Sequence, residues 1–132
     1  MNTHIKDIAF LDYIARQCPQ ADYVFKGDDD ILLVPDNILT MIGQMESQNM
    51  SSIGCVKGPG EEPVRDLKNK YFVPEEIYNG KTYSVYFSGA AYLTTGSLAN
   101  QMAEQIRTIP IIPLDDCFIG SIMKHLQKEK YL

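Results

Sequence analysis

The segment Ala21-Asp-Tyr-Val-Phe-Lys-Gly-Asp-Asp-Asp-Ile-Leu-Leu-Val34 places three consecutive acids between two apolar runs. The first run is predicted to be a strand, and the second, residues 31–34, is so continuously apolar that it is predicted to be buried. A strand that ends in carboxylates places them at a sheet edge, where α/β proteins bind ligands. Because alternate residues of an extended chain point the same way, Asp28 and Asp30 can converge on one ion while Asp29 points elsewhere. Carboxylate oxygens suit Mg²⁺ or Mn²⁺, and the alternative is a solvated surface turn.

Around this segment, stretches typical of strands and helices alternate, which indicates a mixed α/β layer structure. Apolar residues spaced three to four apart predict helices at residues 4–17 and after Pro35, Ser97 and Asp116. Strands are predicted at residues 22–26, 52–57, 71–73, 83–87 and 91–95, the last two being pieces that meet at Ser88-Gly89. Ser97 is predicted to cap its helix. Neither chain end carries the polar tail usual at a domain boundary, so a fragment of a longer domain is expected.

The composition is that of a globular protein, and it excludes several classes of function. The 132 residues include 12 Lys plus Arg against 17 Asp plus Glu, a formal net charge of −5. This charge, without any basic run, argues against a nucleic-acid binder. No apolar run approaches the roughly 18 residues that span a membrane. The three cysteines form no CxxC or Cys/His cluster, so they are predicted to be free or buried thiols, with a secreted chain lacking a partner cysteine as the alternative.

Two further segments carry side chains whose role the sequence leaves open. Asp115 and Asp116 precede an amphipathic helix, where one acid could cap the helix N-terminus. Alternatively, one of them is a general base, held rigidly and kept ionised by the helix dipole. The aromatic segment at residues 83–92 is either a core strand or a surface that stacks on sugar rings, with Gly89 allowing close approach.

Four blocks of sequence, in this order, resemble the β-1,3-glycosyltransferases that use UDP-galactose or UDP-N-acetylglucosamine (glycosyltransferase family 31). The blocks are Ala21 through Val34, Pro63-Val-Arg65 through Lys70-Tyr-Phe-Val-Pro74, Tyr83 through Leu93, and Pro113-Leu-Asp-Asp-Cys-Phe-Ile-Gly120. The resemblance implies a GT-A-like α/β fold with a mixed sheet flanked by helices. Residues 1–132 would form the C-terminal portion of that catalytic domain, without its first nucleotide-binding strands. The full-length form would be a type II membrane protein of the Golgi lumen, and the fragment alone would be inactive.

The activity that the resemblance implies is an inverting, metal-dependent hexosyl transfer. It would form a β-1,3 linkage from a UDP-sugar to a glycan acceptor on a glycoprotein or glycolipid. The Pro-Leu-Asp-Asp form of the last block favours UDP-N-acetylglucosamine as the donor. The alternatives are a UDP-galactose-dependent or fringe-like enzyme and a catalytically silent glycan-binding domain.

The resemblance also gives roles to individual acids. Asp116 would be the catalytic base that takes the proton from the acceptor 3-hydroxyl. Asp28 and Asp30 would be the metal ligands, for Mn²⁺ or Mg²⁺ on the diphosphate. Asp29 and Lys26 would contact the nucleotide sugar.

The remaining candidates belong to the sugar pocket and its surroundings. Tyr83, Tyr86 and Gly89 would line the pocket, and Asp115 would contact the acceptor or orient the base. Arg65 and Lys70 either support the site from a loop or lie on a solvated face.

Overall fold

The computed structural model describes residues 4–126, which form one three-stranded sheet and four helices. The helices are α1 (His4–Gln17), α2 (Pro35–Ser47), α3 (Gly96–Gln105) and α4 (Asp115–His125), and the strands are β1 (Tyr23–Gly27), β2 (Ser52–Lys57) and β3 (Tyr86–Thr95). The predicted α/β class is confirmed. The sheet of the described residues is antiparallel, however, and not mixed.

Strand β3 lies at the centre of the sheet, in the order β1-β3-β2. Tyr23 of β1 pairs with Thr95, and Gly27 pairs with Ala91, so β1 ends beside the middle of β3. The predicted break at Gly89 is wrong, because β3 runs through this glycine as one continuous strand. The ladder to β2 shifts its register between Gly54 and Val56, and continues to the pair formed by Lys57 and Tyr86.

Hydrophobic residues are buried on both faces of the sheet. Tyr92 and Leu93 are consecutive in β3 and therefore point to opposite faces. On the side of Leu93, the core is small and is formed with Met45 of α2, Met50 and Ile53. The larger core, on the side of Tyr92, is formed mainly by residues of α1, α3 and α4: Leu11, Leu98, Met102, Phe118, Ile119, Ile122 and Met123. This arrangement fixes the N-terminus of α4 against the sheet.

Close backbone approach explains one glycine of α4. A Cβ atom added to Gly120 would lie 2.5 Å from the carbonyl oxygen of Val85 and 2.7 Å from Cβ of Tyr86. Real Cβ contacts are never this short, so α4 can rest on residues 85–86 only because position 120 has no side chain. The contact holds the start of α4 next to the start of β3.

The prediction that residues 31–34 are buried is wrong. Leu32 is 91% exposed, and Leu33 and Val34 are also exposed. The chain turns at Asp29–Asp30 and leaves the sheet, and Pro35 then begins α2, so this run joins no strand of the described residues. The apolar residues at positions 31–34 therefore belong neither to a strand nor to the hydrophobic core of the described residues.

Three smaller expectations also need correction. The predicted strand at residues 71–73 is reduced to one isolated bridge between Val64 and Phe72. Thr95, and not Ser97, caps α3, because its hydroxyl accepts a hydrogen bond from the Leu98 amide. Leu114 occupies the N-cap position of α4 and makes no side-chain cap hydrogen bond, so neither Asp115 nor Asp116 is the N-cap residue.

The cysteines and the helix lengths agree with the composition. Cys18, Cys55 and Cys117 are free thiols, and Cys117 is buried. Among residues 4–126, none of the helices combines the length and the apolar character required to span a bilayer.

Candidate functional site

The residues predicted from the sequence as site residues all line one cavity of about 1090 Å³. They are Lys26, Asp28, Asp29, Asp30, Tyr83, Tyr86, Gly89, Asp115 and Asp116. The acids after β1 and the acids at the start of α4 are almost ninety positions apart in sequence, yet they share this cavity. The cavity therefore brings together the groups that the resemblance assigns to the donor and to the acceptor.

The three consecutive acids begin where β1 ends, as predicted. The amide of Asp28 donates a 2.9 Å hydrogen bond to the carbonyl oxygen of Ala90, which fastens the start of this acidic segment to β3. All three acids are exposed, and half of the Asp28 side chain is open to solvent. Their carboxylate oxygens are therefore accessible to a ligand in the cavity.

Asp116 is held by the backbone of β3. The amide of Gly89 donates a 2.8 Å hydrogen bond to Asp116 Oδ2. Burial raises the pKa of the Asp116 carboxyl, although the Gly89 hydrogen bond and the nearby Lys26 ammonium partly oppose this. The position of Asp116 at the start of α4 predicts that its carboxyl stays ionised. Burial has the opposite effect, because it raises the pKa of the carboxyl. A carboxylate with a raised pKa and a fixed orientation is suited to accept a proton.

Lys26 connects the two halves of the cavity. Its Nζ atom lies 3.4 Å from Asp28 Oδ1 and 3.4 Å from the carbonyl oxygen of Gly89. It also lies 3.8 Å from Asp7 Oδ1. Because the Lys26 side chain is only 14% exposed, these contacts are weakly screened by solvent.

Asp7 is the site residue that the sequence analysis missed. It lies on α1, lines the cavity and is 2% exposed. Burial raises its pKa to about 6, and the Lys26 ammonium limits the rise. The available signal was its spacing, because Asp7 precedes the buried Leu11 by four residues and so shares the apolar face of α1.

Two tyrosines form the aromatic wall of the cavity. The ring of Tyr83 stacks on Tyr78 at 5.4 Å and meets the ring of Tyr86 edge-on at 6.4 Å. The hydroxyl of Tyr86 donates a short hydrogen bond to Glu61, which also lines the cavity and was not predicted. Burial raises the pKa of Tyr83 to about 12, so both tyrosines stay neutral donors. Tyr83 is also a member of the larger hydrophobic core, together with Phe87 and the Tyr92 ring stacked on it, so the core alternative holds for these three residues.

Arg65 and Lys70, the candidates from the second sequence block, do not line the cavity. The Arg65 guanidinium donates to the carbonyl oxygens of Val73 and Tyr78, each at 2.7 Å, so its contacts brace the loop. Lys70 lies 4.6 Å from the ring centre of Tyr71, which is itself a cavity residue. Both residues therefore contact the connection between β2 and β3, which contributes residues to the cavity. Arg65 contacts backbone carbonyl oxygens of this connection, and Lys70 contacts the ring of Tyr71.

The donor atoms at the cavity suit a metal shared with a substrate. Within residues 4–126, no three His, Cys, Asp or Glu side chains lie close enough together to hold a metal ion by themselves. Mg²⁺ and Mn²⁺ sites that handle phosphates commonly use one or two carboxylates and take their other ligands from phosphate and water. The exposed carboxylates of Asp28 and Asp30 fit that second type of site.

Comparison with known proteins identifies the family. The sequence model of the galactosyltransferase family matches residues 1–131, and the chain belongs to this family. The resemblance inferred from the four sequence blocks is thereby confirmed.

The curated relatives include β-1,3-N-acetylglucosaminyltransferases. The chain is 34% identical over 125 residues to rat UDP-GlcNAc:betaGal beta-1,3-N-acetylglucosaminyltransferase 7, covering 95% of this chain and 31% of the relative. It is 31% identical over 125 residues to human acetylgalactosaminyl-O-glycosyl-glycoprotein beta-1,3-N-acetylglucosaminyltransferase, covering 94% and 32%. It is 30% identical over 128 residues to mouse N-acetyllactosaminide beta-1,3-N-acetylglucosaminyltransferase 2, covering 95% and 32%. The chain thus spans about a third of the length of these relatives.

Proposed function

We propose that this chain forms the acceptor-facing part of a GT-A-type β-1,3-N-acetylglucosaminyltransferase. The observation that carries the proposal is the shared cavity, which Asp116 and the acids at positions 28–30 all line. The names of the relatives support the sugar and the linkage. A glycan that ends in a sugar with a free 3-hydroxyl would be the acceptor.

Asp116 is the base in this proposal. Its carboxylate takes the proton from the acceptor 3-hydroxyl while the hydroxyl oxygen forms a bond to the anomeric carbon of the donor. The bond from that carbon to the UDP oxygen breaks on the opposite face, which inverts the anomeric configuration. The hydrogen bond from Gly89 keeps Asp116 Oδ2 in a fixed place, and the raised pKa makes the carboxylate a better proton acceptor than an exposed aspartate.

The donor side of the cavity would bind the diphosphate. Asp28 and Asp30 would hold a divalent cation, Mn²⁺ or Mg²⁺, which when bound neutralises the negative charge of the diphosphate. Asp29 would accept hydrogen bonds from the nucleotide sugar. Lys26 already contacts three carboxylate or carbonyl oxygens, so its part at the donor is to balance the charge of Asp28.

The acceptor side would be aromatic. Tyr86 offers a half-buried ring at the cavity and a hydroxyl engaged by Glu61, and Tyr83 supports it from behind. Aromatic rings of this kind stack on the apolar faces of sugars. Asp115, one position before the base, would contact an acceptor hydroxyl.

A second candidate donor is UDP-galactose, because the matching family is described as galactosyltransferase. Competition between the two UDP-sugars for transfer to one acceptor separates these candidates. The location in the Golgi lumen stays a prediction that follows from the resemblance.

The test of the proposal is Asp116→Asn in the full-length natural protein that contains this chain. Transfer should fall by about 10²–10⁴-fold, the usual contribution of a general base. The affinity for UDP and the melting temperature should stay close to the wild-type values. Asp22→Asn is the matched control and should keep full transfer. Asp22 immediately precedes β1, whereas the acids at positions 28–30 follow it. Near-normal transfer by Asp116→Asn would remove Asp116 as the base and overturn the mechanism.

A further inference from the structure

We propose that Asp7 is a positioning residue, which acts through Lys26 to hold the Gly89 peptide groups that orient Asp116. The inference rests on the function proposed for Asp116. It assigns a role to α1, which carries none of the residues predicted from the sequence. It also joins the donor and acceptor sides of the cavity through one connected set of contacts.

The contacts form a continuous path from α1 to α4. Asp7 Oδ1 lies 3.8 Å from Lys26 Nζ, and Lys26 Nζ lies 3.4 Å from the carbonyl oxygen of Gly89. The amide of the same glycine donates the 2.8 Å hydrogen bond to Asp116 Oδ2. Gly89 is therefore contacted on its carbonyl side by the cation and on its amide side by the base.

Because Asp7 is buried, its ion pair with Lys26 is energetically important. The Asp7 side chain is buried, with only 3% of it exposed. Its Oδ2 atom has no hydrogen-bond partner among the described residues. A buried carboxylate is costly unless a charge compensates it, and Lys26 is the cation in contact with Asp7. The Lys26 ammonium supplies this compensating charge at 3.8 Å from Asp7 Oδ1.

Removing the charge of Asp7 should change where Lys26 lies. Asp28 is half exposed, and its Oδ1 atom lies 3.4 Å from Lys26 Nζ, so it is a carboxylate with which Lys26 is already paired. A lysine released from Asp7 would follow Asp28 toward solvent and leave the Gly89 carbonyl. The Gly89 peptide would then be held from the Asp116 side alone, and the base would be less well oriented.

The test is a double-mutant cycle on the full-length protein, with Asp7→Asn, Lys26→Gln and the double variant. Asparagine has the shape of aspartate and no charge to bury, so Asp7→Asn should fold. We expect Asp7→Asn to lower kcat about tenfold, with the Kd for UDP and the acceptor KM each within about twofold of wild type. The double variant should be no slower than Lys26→Gln alone, because both changes break the same path. Asp7→Glu, which keeps the charge, should recover part of the lost rate.

A matched control separates this role from a structural one. Asp12→Asn changes an exposed acid of the same helix that is paired with Arg16, and it should leave kcat unchanged. An unaltered kcat for Asp7→Asn would overturn the proposal. So would losses that simply multiply in the double variant.

A readout that does not need activity completes the design. Hydrogen exchange at the Gly89 amide, followed by NMR, should be about tenfold faster in Asp7→Asn than in wild type or Asp12→Asn. If Asp116→Asn keeps its transfer, the proposed function fails, and the exchange rate still tests the path itself. If Asp116→Asn loses transfer and the Gly89 amide exchanges at the wild-type rate in Asp7→Asn, the role of Asp7 alone is overturned.

Discussion

The amide of Gly89 donates a hydrogen bond to Asp116 Oδ2 across 2.8 Å, which joins the central strand to the first turn of α4. The two residues are 27 positions apart, and both line the cavity. The peptide that orients Asp116, the proposed base, is thus part of the same strand that pairs with β1, from which the acidic residues 28–30 emerge. Moving either group would disturb the other, and several consequences of this coupling are measurable.

Gly89→Ala should slow the transfer step without weakening the binding of UDP. A Cβ atom at position 89 would lie 3.3 Å from Asp116 Oδ2, so the carboxylate would have to shift by a few tenths of an ångström. We expect kcat to fall about three- to tenfold, because small displacements of a catalytic group are costly. Gly43→Ala is the control, since nothing lies within 4 Å of a Cβ atom there. A kcat equal to that of wild type would show that the position of Asp116 is not critical.

Asp30→Ala should remove the dependence of UDP binding on Mn²⁺. The affinity of the wild-type protein for UDP should drop when EDTA replaces Mn²⁺, and the variant should bind equally weakly in both conditions. Calorimetry of UDP binding with and without the ion measures this difference. Asp22→Ala, an exposed acid at the other end of β1, should keep the full metal effect. Metal-dependent binding that persists in Asp30→Ala would exclude Asp30 as a ligand.

Asp7 should make the stability of the fold depend on pH. Its pKa is about 6 in the folded protein, against 3.8 for an ordinary aspartate, so the folded state binds the proton more tightly than the unfolded state. The resulting stabilisation is complete below pH 3.8 and is lost as the pH rises through about 6. The advantage of Asp7→Asn in unfolding free energy should therefore grow between pH 4 and pH 7, by at most about 3 kcal/mol. It should level off above pH 7.

Thermal or urea unfolding at several pH values measures this dependence. Asp12→Asn provides the comparison, because it removes an exposed carboxyl from the same helix. If the curves for Asp7→Asn and wild type stay parallel from pH 4 to pH 8, the pKa of Asp7 is not raised.

Gly120→Ala should destabilise the protein by about 1–3 kcal/mol, the usual cost of overpacking a close contact. The added Cβ atom would meet the backbone oxygen of Val85 at 2.5 Å, and a backbone oxygen cannot move aside as a flexible side chain can. Urea unfolding measures the change. Gly43→Ala should instead stabilise the protein by about 0.5–1 kcal/mol, because alanine favours the helical state of the exposed site. Equal stability of the two variants would contradict the close packing of α4.

Much of the fold could be predicted because it rests on local periodicity. The apolar spacing located α1, α2 and α4, and the β-rich run at residues 52–57 located β2. Residues 31–34 misled the prediction because a short apolar run does not reveal whether a strand is available to pair with it. The continuity of β3 was missed since a glycine usually weakens a strand, and here Phe87 pairs with β2 and Ala91 pairs with β1 on either side of Gly89.

The candidate site was predictable where chemistry is concentrated in short motifs. The acids at positions 28–30 and at 115–116 stand out in the sequence, and the structure brings both groups to one cavity. Asp7 did not stand out, because a single acid in a helix is ordinarily solvated. The cation that compensates it is Lys26, a residue that is 19 positions away in sequence and becomes its partner only in the folded protein.

The guanidinium of Arg65 links separate parts of the connection between β2 and β3. It donates hydrogen bonds to the carbonyl oxygens of Val73 and Tyr78, which are five residues apart. Residues of this connection, including Glu61, Val64 and Tyr71, line the cavity together with residues of the sheet. Under the proposed function, substitutions of these residues would alter which glycans are accommodated while leaving the hydrogen bond between Gly89 and Asp116 intact. The choice of acceptor glycan and the rate of the transfer step could therefore change independently of each other in this fold.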